Sequence, residues 1–67
     1  MENALKDITL LTPNQVAEAT GIRIGTLKKW RLERTNLPFI HVGRSVRYRL
    51  SDVEDYLASR TVPVERV

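Results

Sequence analysis

Seven basic residues crowd the middle of this 67-residue chain: Lys28, Lys29, Arg31, Arg34, Arg44, Arg47 and Arg49 stand against Glu33 alone between residues 28 and 49. That stretch carries a net charge of +6, whereas residues 1–27 carry −1 and residues 50–67 carry −2. The overall charge of +3 hides this unevenness. Guanidinium and ammonium groups at such density bind anions, and a basic middle between acidic flanks predicts one surface that meets a polyanion. A merely solvated basic face would give the same count. Charge alone leaves both readings open.

Other chemistry finds little support. His41 is the only histidine and there is no cysteine, so neither a metal site nor a thiol nucleophile is expected. No histidine–carboxylate pair surrounds any serine. Asp52, Glu54 and Asp55 suit the start of a helix better than a catalytic pair. Gly43 sits in a turn, and no glycine-rich phosphate loop is present. A domain this short buries only about 60% of the surface its unfolded chain exposes. Its core must come from aliphatics plus Trp30, Phe39, Tyr48 and Tyr56, with little room for a deep pocket. The chain is expected to be no enzyme, with no catalytic residue, no metal and no cofactor.

The elements that must position the cations can be read in order. Leu11-Thr12-Pro13-Asn14-Gln15-Val16 is a helix start: Thr12 and Gln15 form a capping box, Pro13 takes the first helical position, and Leu11 and Val16 make a hydrophobic staple. This helix turns Val16 and Ala17 inward and stops near Thr20-Gly21. A second helix runs from about Arg23 to Arg34, with Ile24, Leu27 and Trp30 on its apolar face. At about 100° per residue its other side carries Gly25, Lys29, Leu32 and Glu33, flanked by Thr26 and Lys28. Arg23 stands where a capping side chain would help, leaving amides that a phosphate could use. Thr35-Asn36-Leu37-Pro38 breaks the helix. Phe39–Val42 and Val46–Leu50 then alternate about a Gly43-Arg44-Ser45 loop, which predicts a β-hairpin. Its inner face would hold Ile40, Val42, Val46, Tyr48 and Leu50, and its outer face His41, Arg47 and Arg49. Ser51-Asp52-Val53-Glu54 reads as a second capping box, opening a third helix that buries Val53, Tyr56 and Leu57 and ends near Ser59 or Arg60.

Two constellations follow. Ala17, Gly21, Ile22, Leu27 and Trp30 would lock two short helices steeply and leave the second protruding, as a reader of the roughly 12 Å wide major groove must. An ordinary helical hairpin could show the same spacing. Arg44 at the hairpin tip, with Arg47 and Arg49, could reach phosphates or the minor groove. Arginines on an edge hairpin could equally serve to discourage strand pairing.

The run from Leu10 to Leu57 resembles the excisionase-type branch of the MerR-like winged helix-turn-helix superfamily. The resemblance is carried by Leu11-Thr12, Val16-Ala17, Gly21-Ile22, Thr26-Leu27-Lys28-Lys29-Trp30, Leu37-Pro38-Phe39, Val42-Gly43-Arg44, Val46-Arg47-Tyr48, Ser51-Asp52-Val53 and Tyr56-Leu57. It implies an α+β, mostly helical winged helix-turn-helix of three short helices and a two-stranded hairpin wing. It also implies that the second helix enters the major groove, with Gly25 and Lys29 at bases, Thr26 and Lys28 at phosphates, and Arg44 at the minor groove. Gly25 has no side chain to read a base, so direct readout falls on Lys29, with Arg23 beside it. A glycine there lets the backbone come close to DNA, and specificity would then lean on DNA shape.

The expected division is an arm over residues 1–9, a DNA-binding domain over 10–60 and a flexible tail over 61–67. No targeting signal and no run approaching the roughly 18 apolar residues of a membrane span is visible. A cytoplasmic protein is therefore expected, and the resemblance implies a nucleoid-associated one of bacterial or phage origin. Its partner would be double-stranded DNA, gripped in the major groove by the second helix and in the minor groove or at the backbone by the wing. Three roles fit: an excisionase that binds and bends DNA and repositions an integrase, a small AlpA-type promoter regulator, or a basic module that meets an acidic protein. A unit this small contacts few base pairs, so cooperative self-association on repeated sites is expected, with the tail as a candidate contact.

Overall fold

The computed structural model describes residues 8–64. In chain order the elements are β1 (Leu10–Leu11), α1 (Pro13–Thr20), α2 (Ile24–Glu33), β2 (Ile40–Val42), β3 (Ser45–Arg49) and α3 (Leu50–Ser59). The strands form one antiparallel sheet in the order β1-β3-β2. Three helices and this small sheet make an α+β winged helix-turn-helix.

α1 is built from local signals. The Gln15 amide donates to Thr12 Oγ1 at 3.1 Å and the Thr12 amide donates to Gln15 Oε1 at 2.9 Å, completing the capping box. At the other end Gly21 takes φ 79°, a left-handed conformation that glycine adopts without a Cβ clash, and its amide donates to the Ala17 carbonyl at 2.8 Å. The Thr20 hydroxyl donates to the Val16 carbonyl and accepts from the Ile22 amide, which tightens the connection into α2. Val16, Leu27, Leu37, Tyr48 and Val53 are buried, and Leu11, Ala17, Ile22, Trp30, Phe39, Val46 and Tyr56 pack around them. Every element except β2 thus contributes to one core, and so does the α2–β2 connection through Leu37.

Several expectations need correction. The sheet has three strands rather than two, because Leu10 and Leu11 pair with Arg49 and Tyr48 before α1 begins. This ladder continues past β3: the Leu50 amide donates to the Thr9 carbonyl at 2.8 Å. The chain therefore passes from strand to helix with no loop, and Arg49, not Ser51, is the N-cap residue of α3. No side chain caps that helix; Asp52 lies in its first turn and meets Arg49 Nη1 at 3.4 Å. Ser51 lies inside the helix, so the second capping box does not form.

The hairpin register also differs. Val42 pairs with Ser45, His41 with Val46 and Ile40 with Arg47, so the turn is Gly43-Arg44 alone. Gly43 has φ 63° and Arg44 is not among the positive-φ residues, the pattern of a type II′ turn. Directly opposed residues share a sheet face, and a loop shorter by one residue exchanges the faces of β2. Ile40 and Val42 lie with Arg47 and Arg49, while His41 lies with Val46 and Tyr48. Val42 is accordingly 49% exposed. Ile24, Leu50 and Leu57, expected inside, are also exposed. Of the expected arm and tail, residues 1–7 and 65–67 lie outside the described residues, and Thr61–Val64 have no regular structure.

Candidate nucleic-acid interface

α2 is held from its inner side by three different contacts. Leu27 is fully buried in the core. The Trp30 ring lies 5.7 Å from that of Tyr56 at 56°, tying α2 to α3. Arg31 Nη1 donates to the Tyr48 hydroxyl at 2.6 Å, tying α2 to β3. These anchors leave Gly25, Lys28, Lys29 and Leu32 exposed, Leu32 at 77%. Lys29 lies two positions from buried Leu27 and so points away from the core at about 200° around the helix. Thr26 is half-buried beside them.

The start of α2 is open. Arg23 is its N-cap residue, exposed and extended at φ −68°, ψ 146°, and makes no side-chain capping bond. A Cβ added to Gly25 would meet nothing within 4 Å. Internal packing therefore does not require a glycine at this position in the first turn of the helix. The free space faces outward, where a partner can use it.

On the wing, the turn lifts Arg44 to the tip, exposed and with no hydrogen bond or ion pair among the described residues. Arg47 and Arg49 share a sheet face with Leu10, Ile40 and Val42 and are engaged within the protein. Arg47 Nη1 donates to the Val46 carbonyl at 2.7 Å, and Arg49 meets Asp52. The structure thus gathers Arg23, Gly25, Thr26, Lys28 and Lys29 on one helix, places Arg44 at the turn, and sets Arg47 and Arg49 on the sheet face away from Tyr48. It also brings Arg31, Arg34 and His41 beside Lys28 around a shallow groove, a grouping not anticipated above. Its only trace in the sequence is the density of cations in residues 28–49.

A short, tightly turned helix pair with a basic second helix and a hairpin alongside is the architecture of a DNA-reading helix-turn-helix unit. A family model of helix-turn-helix domains matches residues 10–61, and the chain belongs to that family. This is a family of DNA-binding domains rather than of enzymes, and double-stranded DNA is the partner it implies. Comparison with curated proteins and with solved structures gives no match. Among the described residues, no helix is long and apolar enough to cross a membrane, and no group of His, Asp or Glu side chains could hold a metal ion.

Proposed function

We propose that the chain is an excisionase-type architectural factor of the MerR-like branch, which binds duplex DNA sequence-specifically and bends it to promote integrase-mediated excision. α2 enters the major groove with Lys29 as the main base-reading residue and Arg23 beside it. Gly25 lets the helix backbone approach the bases, Thr26 and Lys28 hold phosphates, and Arg44 reaches the minor groove. Arg47 and Arg49 would contact the backbone from their own sheet face, after sharing or releasing the Val46 carbonyl and Asp52. The observation that carries the reading is α2 itself: it is anchored by Leu27, Trp30 and Arg31 on one side and bare, basic and glycine-bearing on the other.

Binding to a duplex series at rising salt tests the DNA contact. Log affinity should fall linearly with log salt, by about 0.9 per phosphate neutralised. Lys29→Ala should change the preferred sequence, by about 1–3 kcal/mol at the base concerned, whereas Arg44→Ala should weaken all sequences or shift a minor-groove preference. If neither substitution disturbs binding, the site assignment is wrong. For the role, purified protein is added to an integrase with its attachment sites. Stimulated excision supports the excisionase reading, and no effect favours a promoter regulator using the same surface.

A further inference from the structure

The groove between the C-terminal half of α2 and β2 is lined by Lys28, Arg31, Leu32, Arg34, Phe39 and His41, and encloses about 300 Å³. It adjoins a second depression of about 570 Å³ that shares Arg34, Phe39 and His41 and continues over the α2–β2 connection. No carboxylate lines either one among the described residues. All the charge facing this concavity has one sign.

Two features show that the cations are placed rather than scattered. The first is Arg34. It is the C-cap residue of α2 with φ 54°, and Asn36 follows with φ 72°. A left-handed conformation suits glycine and is tolerated by asparagine, so Asn36 is at ease there, whereas for arginine it is disfavoured. An arginine there keeps a backbone that glycine would adopt more easily, and Arg34 lines both depressions. Such conformations persist only where the surrounding structure enforces them, and they cluster at functional sites. The second is Arg31, whose guanidinium is fixed by the hydroxyl of Tyr48, itself only 1% exposed. A guanidinium has five N–H donors, so most remain available to the groove.

We infer that Lys28, Arg31, Arg34 and His41 form a seat for one phosphodiester strand of the bound duplex. This inference rests on the DNA-reading role proposed for α2 and extends its footprint. With α2 in the major groove and the hairpin tip at the neighbouring minor groove, one backbone strand must pass between them, and this concavity is the space between helix and hairpin. The cations would hold that strand by charge-assisted hydrogen bonds, with the His41 imidazole adding an N–H donor. Contacts of this kind set register and affinity and carry no sequence information.

The test uses Arg34→Gly, which should separate stability from binding. The variant should melt no lower than the native chain, because glycine relieves the left-handed backbone. It should nevertheless bind every duplex more weakly, by about five- to tenfold at 0.1 M salt, with the salt slope reduced by about 0.9 and the preferred sequence unchanged. Arg34→Gln should show the same loss of slope without the added backbone freedom of glycine, and Arg34→Lys should recover most of the binding. If Arg34→Gly and Arg34→Gln bind with native affinity and slope, the groove is not a backbone seat, although the reading of α2 survives. If the native chain itself binds duplex without salt dependence, both inferences fall together.

Discussion

α1 and α2 are neighbours joined by one tight turn, yet they are built to opposite standards. α1 has a reciprocal capping box at its start and a left-handed glycine at its end. α2 has no side-chain cap, a glycine in its first turn and a strained arginine at its end. Each departure in α2 lowers the intrinsic stability of the helix, and each leaves a basic or bare position exposed. The difference teaches where this small domain holds itself together and where it meets its partner. α1 braces, and α2 presents.

Substitutions can break or sharpen that contrast. Leu27 is the one fully buried residue of α2, so Leu27→Ala should cost about 2–5 kcal/mol, enough to unfold much of a domain this size, as read by thermal melting. Leu32→Ala on the exposed side should stay within about 0.5 kcal/mol. Next come the two glycines of the helix pair. Gly21→Ala should destabilise by about 1–2 kcal/mol because of its φ of 79°, although space for a Cβ exists. Gly25→Ala should instead leave stability unchanged or raise it by up to about 0.5 kcal/mol, while weakening or redirecting duplex binding. A Gly25→Ala variant that is both more stable and unchanged in binding would remove the reason given for that glycine. Last, Thr12→Ala should cost about 1 kcal/mol through the lost cap, whereas Ser51→Ala should be close to neutral in the same melt. A large effect at Ser51 would contradict the entry of α3 directly from β3.

What could be read in the residues was what depends on near neighbours. Thr12, Pro13, Gln15 and Gly21 specify α1 within a few positions of one another, and its boundaries are legible for that reason. The three helices and the hairpin follow from periodicity and from Gly43. The errors in the sheet involve distant partners or a single residue of register, while Ile24 and Leu57 lie at the edges of helix faces that bury Leu27 and Val53 instead. Strand β1 exists only because Leu10 and Leu11 meet Arg49 and Tyr48, and that same pairing draws Leu50 into the ladder and displaces the expected cap at Ser51. A two-residue turn and a three-residue turn both fit Gly43-Arg44-Ser45, yet they exchange the sheet faces taken by Ile40 and His41. On the interface, the outward set on α2 was legible from helical phase. The groove was not, since it depends on Arg31 meeting Tyr48 and on the left-handed turn at Arg34.

The most direct measurement is a backbone amide NMR titration of the protein with duplex DNA, read residue by residue. The shifts should concentrate at Arg23–Lys29, at the groove residues Arg31, Arg34 and His41, and at the Gly43–Arg44 turn, with the outer residues of α1 and α3, such as Asn14, Glu18, Glu54 and Asp55, little changed. Shifts gathered on α1 or α3, with α2 undisturbed, would show that the duplex lies on another face.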